Sequence, residues 1–191
     1  MNKLLAFLNK YANLRDALIV TAFLFIIVIP LNNRLTDSLY QLAHGVPKLD
    51  FQRTDDVALV SQLFDAYGAQ GRAMFAWDLL VDTFYPLAVA GAAMLFALAV
   101  VRKPILQILL IVIPMIFLVT DVIENAFFML FIAMYPSISP ILVGTANLFT
   151  RIKLFTIYPT FYEMISFMPI AVILAIVSFA RRKLSTRSIT A

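Results

Sequence analysis

The chain has 191 residues, 62% of them hydrophobic and only 14% charged, against about 45–50% and about 25% in a typical soluble domain. Without a single cysteine it can form no disulfide, no thiolate nucleophile and no zinc–sulfur site. Its net charge of +4 is what a membrane protein gains by keeping basic residues beside its spans, so nucleic acid is not implied as a partner.

The chain opens with Leu4, Leu5, Leu8 and Tyr11 at helical spacing beside Lys3 and Lys10, a pattern for a short helix lying on a membrane surface. The first apolar run, about residues 17–35, is long enough to enter a bilayer and breaks up at Pro30, Asn32 and Asn33. Its basic flank resembles a signal peptide, but no small-x-small cleavage motif follows, so an anchored helix is expected. A connection of some 45 residues, from Asn32 to Trp77, comes next; it is too long for a plain connector. Within it, Thr54-Asp55-Asp56 makes a helix start and Val57, Val60, Phe64 and Tyr67 an apolar stripe. Gly68 supplies a stop. An amphipathic loop helix over about 55–67 is expected, covering the outer end of the bundle.

Three more spans follow, at about 78–101, 104–134 and 155–180, each near or above the roughly 20 residues that cross a bilayer. The fold class expected is therefore an all-α integral membrane protein, a four-transmembrane-helix bundle forming one domain over 1–183. A disordered polar tail is expected at 184–191. Nine of the 15 basic residues (Lys3, Lys10, Arg15, Arg102, Lys103, Arg181, Arg182, Lys183, Arg187) flank one set of helix ends, and six lie in the opposite loops. The positive-inside rule then sets both termini in the cytoplasm; a location in a bacterial inner membrane is expected.

Ionisable residues inside spans are costly, and by default they are functional candidates. Counting about 20 residues from each inner charge puts Asp82, Asp121, Glu124 and Glu163 near one level at the outer boundary. Asp121 shares a helix face with Glu124 and Asn125. Arg72, Arg151 and Lys153 lie just above as counter-charges. The candidate ligand-binding cluster is Arg72, Asp82, Asp121, Glu124, Asn125 and Lys153. Asp78, four residues before Asp82, faces the same way.

The elements Tyr67-Gly68-x-x-Gly71-Arg72, Asp82-x-x-Tyr85-Pro86, Asp121-x-x-Glu124-Asn125, Tyr135-Pro136 and Thr150-x-x-Lys153 resemble a family of small four-span bacterial membrane proteins with no assigned activity. They span roughly residues 50–155. Asp78 and Glu163 fall outside that pattern. The resemblance implies which residues matter and not what they do.

Four readings of the cluster stay open. It can bind or move a lipid or other amphiphile, with Arg72 and Lys153 holding an anion and the acids holding a cationic part. It can be an acid/base site of an enzyme on a lipid-like substrate. The chain can be an accessory subunit packing on a partner membrane protein through the small residues Ala88, Ala90, Gly91, Ala92 and Ala93. Or the charges can form a structural ion network. No nucleophile elbow and no zincin motif occurs, and the one histidine, His44, sits in a polar loop. No metal or cofactor is expected, although Asp82, Asp121, Glu124 and Asn125 offer the oxygen donors that Mg²⁺ or Ca²⁺ would use. Trp77, at the membrane entry of the second span, reads as an interfacial anchor.

Overall fold

The computed structural model describes residues 13–189, with side chains to residue 178. The expected surface helix at Leu4–Tyr11 lies outside the described residues. Within them the chain is all helical, and four helical stretches are long and apolar enough to cross a membrane: Leu14–Leu42, Val57–Val100, Pro104–Met134 and Pro140–Ser178. We label the helices α1 (Leu14–Leu42), α2 (Val57–Asp82), α3 (Phe84–Val100), α4 (Pro104–Met134) and α5 (Pro140–Ile189). The four stretches, with α2 and α3 together forming the second, run alternately up and down. One end of the bundle carries the connections 43–56 and 135–139, here called the loop end. The other end carries the short 101–103 turn and the N-terminal end of α1.

Several boundaries differ from the sequence expectation, each for a local reason. α1 does not stop at Pro30. A π turn at Leu24–Val28 precedes the proline, and the Ile29 N–H bonds back to the Leu24 carbonyl. A proline has no N–H for the carbonyl four residues earlier and crowds it, and the widened turn lets the helix continue through Asn32 to Leu42. The loop helix expected at 55–67 is not a separate element. It is the first limb of α2, capped by the Asp56 carboxylate accepting from the Ala58 N–H at 2.8 Å, and it continues into the second span through one non-helical residue, Gly68, at φ 60 and ψ −172. That backbone region is essentially reserved for glycine, so the predicted stop is a bend instead. α5 begins at Pro140, 15 residues before the expected start, and its backbone stays helical through Ile189 where a disordered tail was expected.

Two apolar cores form, one toward each end. The loop-end core is aromatic: Phe64, Tyr67 and Phe75 from α2 meet Phe128 and Phe131 from α4, with Leu39 and Val143 around them. The stripe Val60, Phe64 and Tyr67 is buried here. The second core packs small residues of α3 (Ala88, Ala90, Ala92, Ala93) against Ala17, Leu24 and Val28 of α1, Phe117 of α4 and Met164 of α5. Alanine at these positions lets helix backbones approach closely. α3 packs against α1, α4 and α5, so the small-residue patch is covered within the chain. Most large apolar side chains of α4 and α5 outside these cores face outward, among them Leu109, Val119, Phe155 and Ile173, as lipid-facing residues do.

Between the two cores every helix except α3 contributes polar residues: Asn32 from α1, Asp78 and Asp82 from α2, Asp121, Glu124 and Asn125 from α4, and Thr150, Lys153 and Thr156 from α5. All are buried except the half-buried Asn32. Asn33, Arg34 and Arg151, their neighbours along the chain, are exposed.

Candidate functional site

The polar layer is built around two lysines, each held by two carboxylates. Lys153 on α5 pairs with Asp121 at 3.4 Å and with Glu124, both on α4. Glu124 also accepts from the Thr150 hydroxyl, one turn before Lys153. Helical geometry makes this possible: residues three apart share a face, so Thr150 and Lys153 together meet Asp121 and Glu124 across the α4–α5 seam. The second triad centres on Lys48, which pairs with Asp50 at 3.2 Å and with Asp78 at 2.9 Å. Lys48, Leu49 and Asp50 belong to a 3₁₀ turn and its cap in the 43–56 connection. All three are buried, so this stretch dips into the bundle rather than running over it. Lys48 lies outside the spans. Burial lowers its pKa, but the charges of Asp50, Asp82 and Asp78 together outweigh that and raise it above the usual lysine value.

Asp82 lies between the triads and has no cation of its own. The Asn32 amide donates to one of its oxygens, and the Asn125 amide reaches the other at 3.5 Å while donating to Asp121 at 3.2 Å. Asn125 therefore links Asp82 to the Lys153 triad. Five carboxylates (Asp50, Asp78, Asp82, Asp121, Glu124) face two lysines in this layer, a formal excess of three negative charges when all are ionised.

A cavity of about 220 Å³ opens beside Asp82. Asp50, Asp82, Asp121 and Lys153 form its polar wall, together with Asn32 and Asn33. Ile29, Leu154 and Ile157 form an apolar wall, and Phe51 and Tyr85 contribute aromatic rings. About seven molecules of liquid water would occupy that volume, so it suits a headgroup rather than a whole lipid. Among the described residues no group of three or more Asp, Glu, His or Cys side chains is placed to hold a metal ion.

The sequence-derived cluster is thus brought together in five of its six members and corrected in one. Asp82, Asp121, Glu124, Asn125 and Lys153 meet as one network. Arg72 does not join it. Ten residues before Asp82, about 15 Å along a helix, it donates to the Phe64 carbonyl at 2.8 Å and stacks over the Tyr135 ring at 4.5 Å. That carbonyl lies one turn before the Gly68 bend. Arg151 is exposed and reaches Asn147 at 3.4 Å. Glu163, counted onto the same level, lies ten residues beyond Lys153 on α5, buried, with Oε1 unpartnered. Sequence reasoning missed Lys48 and Asp50, which read as ordinary loop charges, and Asn32, which read as the end of a span. It set Asp78 aside, although its four-residue spacing from Asp82 marked the right face. His44 is exposed, at φ 52, and Trp77 is two-thirds exposed.

In comparisons with known proteins, no family model, no curated protein and no solved structure matches this chain.

Proposed function

We propose that this is a bacterial inner-membrane protein, with both termini cytoplasmic, that binds the polar head of a lipid or similar amphiphile in the cavity beside Asp82. The observation that carries this reading is the mixed lining of that cavity, which brings Asp82, Asp121 and Lys153 together with Ile29, Leu154 and Ile157. An amphiphile needs both surfaces at once. Location supports it too. Asp121 stands about 26 Å along α4 from Pro104, close to the thickness of a hydrocarbon core of about 30 Å, and the exposed Asn33, Arg34 and Arg151 lie beside the layer, as residues at a membrane boundary do. In this reading the first limb of α2 roofs the outer end and limits access from water.

The structural reading is favoured by one feature, the double pairing of each lysine, which is what charges buried for packing alone also do. The two separate on a binding measurement. Protein purified in a maltoside detergent is examined by native mass spectrometry after delipidation and after adding back membrane lipid extract. Retained lipid that is lost in Ile157→Trp, a change that fills the cavity and leaves every charge in place, supports binding. Equal adducts on both proteins refute it. Orientation is tested on the cysteine-free background: Ser137→Cys should react with a membrane-impermeant maleimide in intact cells and Lys103→Cys only after lysis.

A further inference from the structure

We infer that the group this cavity selects is an organic cation, an ammonium carried on a short apolar chain, and that Asp82 is its counter-charge. The inference rests on the amphiphile reading above and deepens it by assigning the charge of the ligand. Three observations combine. The first is how the charges divide. Lys48 is shared by Asp50 and Asp78, and Lys153 by Asp121 and Glu124, so neither lysine is free to hold an anion. Asp82 has only the neutral amides of Asn32 and Asn125. An anionic headgroup entering the cavity would meet three carboxylates for one already committed lysine. A cation there offsets an existing excess.

The second is an acceptor without a donor. Asp50 is 4% exposed and lines the cavity, and its Oδ1 has no hydrogen-bond partner. A buried carboxylate oxygen left unpaired is costly, and a cation in the cavity that Asp50 lines would offset its charge. The third is the remainder of the wall. Phe51 and Tyr85 add aromatic rings to the lining, side chains that attract an ammonium, and the Phe51 ring centroid already lies 5.7 Å from the Lys48 ammonium. Ile29, Leu154 and Ile157 give the attached carbons an apolar surface. At about 220 Å³ the space exceeds what a bare metal ion would fill and accommodates an amine with a few carbons.

The ammonium can come from a lipid headgroup or from a free amine in water, and the test distinguishes them. Thermal unfolding of the protein in uncharged maltoside micelles is followed while titrating octylammonium, ethanolamine, octyl phosphate and octanol, each also against Asp82→Asn and Ile157→Trp. Octylammonium is expected to raise the unfolding midpoint in a saturable way, with apparent affinity at least tenfold weaker in Asp82→Asn and no saturation in Ile157→Trp. Ethanolamine matching octylammonium at equal concentration identifies an aqueous amine as the source; a response to octylammonium alone identifies a lipid-like one. Saturable stabilisation by octyl phosphate in preference to octylammonium overturns the charge assignment and leaves the amphiphile reading standing. No saturable response to any of the four overturns both. Ile157→Trp retains every charge, so the comparison holds even if Asp82→Asn folds poorly.

Discussion

Replacing Lys153 by Met should destabilise the protein severely, and the reason is the geometry of its triad. The side chains involved are almost fully enclosed: Lys153 is 6% exposed, Asp121 4% and Glu124 0%. At the 3.4 Å separation of Lys153 and Asp121, the attraction of two unit charges is about 5 kcal/mol at an effective dielectric near 20. Part of that offsets the cost of burying the ions, so the pair is not worth the whole sum. Removing only the cation, however, strands two carboxylates that stay buried, and such breakage typically costs about 3–5 kcal/mol. Methionine keeps the aliphatic length, so lost packing contributes little. The assay is reversible unfolding by sodium dodecyl sulfate in maltoside micelles, monitored by helical circular dichroism. The triple variant Lys153→Met, Asp121→Asn, Glu124→Gln removes all three charges and should recover most of the loss, because an uncharged layer carries no stranded ion. A single variant within about 1 kcal/mol of the parent, or a triple variant no better than the single, would refute the idea that these groups stabilise one another.

Two further outcomes follow from local geometry. Gly68→Ala should cost about 1–3 kcal/mol, since the φ of 60 and ψ of −172 strain any L side chain; no atom lies within 4 Å of a Cβ built there, so the whole effect is conformational, and an unchanged stability in the same titration would remove the bend from the account. Lys48 has a pKa raised above the usual value of about 10.4 by Asp50, Asp82 and Asp78 against the opposing effect of burial. A raised folded-state pKa means its stabilisation is fully present below the unfolded value and fades as pH climbs toward the folded one. The stability gap between parent and Lys48→Met should thus stay flat from neutral pH to about pH 9.5 and shrink only in stronger base; a gap that closes between pH 7 and 9 would contradict the pairing.

The four spans were readable because each is a long and predominantly apolar run, and a few polar residues do not hide so many apolar ones. Half of the candidate site was readable for a related reason. Asp121, Glu124 and Asn125 lie on one helix at spacings of three and four, so helical geometry alone puts them on one face. What failed was inference across elements. Lys48 and Asp50 lie in a connection with no periodicity, and nothing in an irregular stretch marks where it turns inward. Arg72 was paired with the acids by charge sign, yet sign carries no distance; ten residues along a helix is about 15 Å, and the Phe64 carbonyl beside the Gly68 bend was nearer. Glu163 was levelled by counting from Arg181 as though that residue ended its helix. α5 is continuous over Pro140–Ile189, far longer than a bilayer requires, so a count from an interior charge has no fixed origin. Lys153 occupies the level that Glu163 was assigned.

Asp82 is where the structural and binding readings make opposite demands. A carboxylate kept for stability would be expected beside a cation, as Asp50, Asp78, Asp121 and Glu124 are. Asp82 instead adds a negative charge to a layer already in excess and is held by amides alone. Asparagine has the same shape and removes that charge. The Asn32 amide can turn to present its oxygen to the new amide, because the Thr36 hydroxyl that now donates to it can equally accept. Asp82→Asn should therefore unfold within about 1 kcal/mol of the parent, or be more stable, as is common where a site holds a charge that folding alone disfavours. A loss of 3 kcal/mol or more in the detergent titration would mean that Asp82 is a member of the ion network like the others, and the cavity would then lose the residue that distinguishes it from packing.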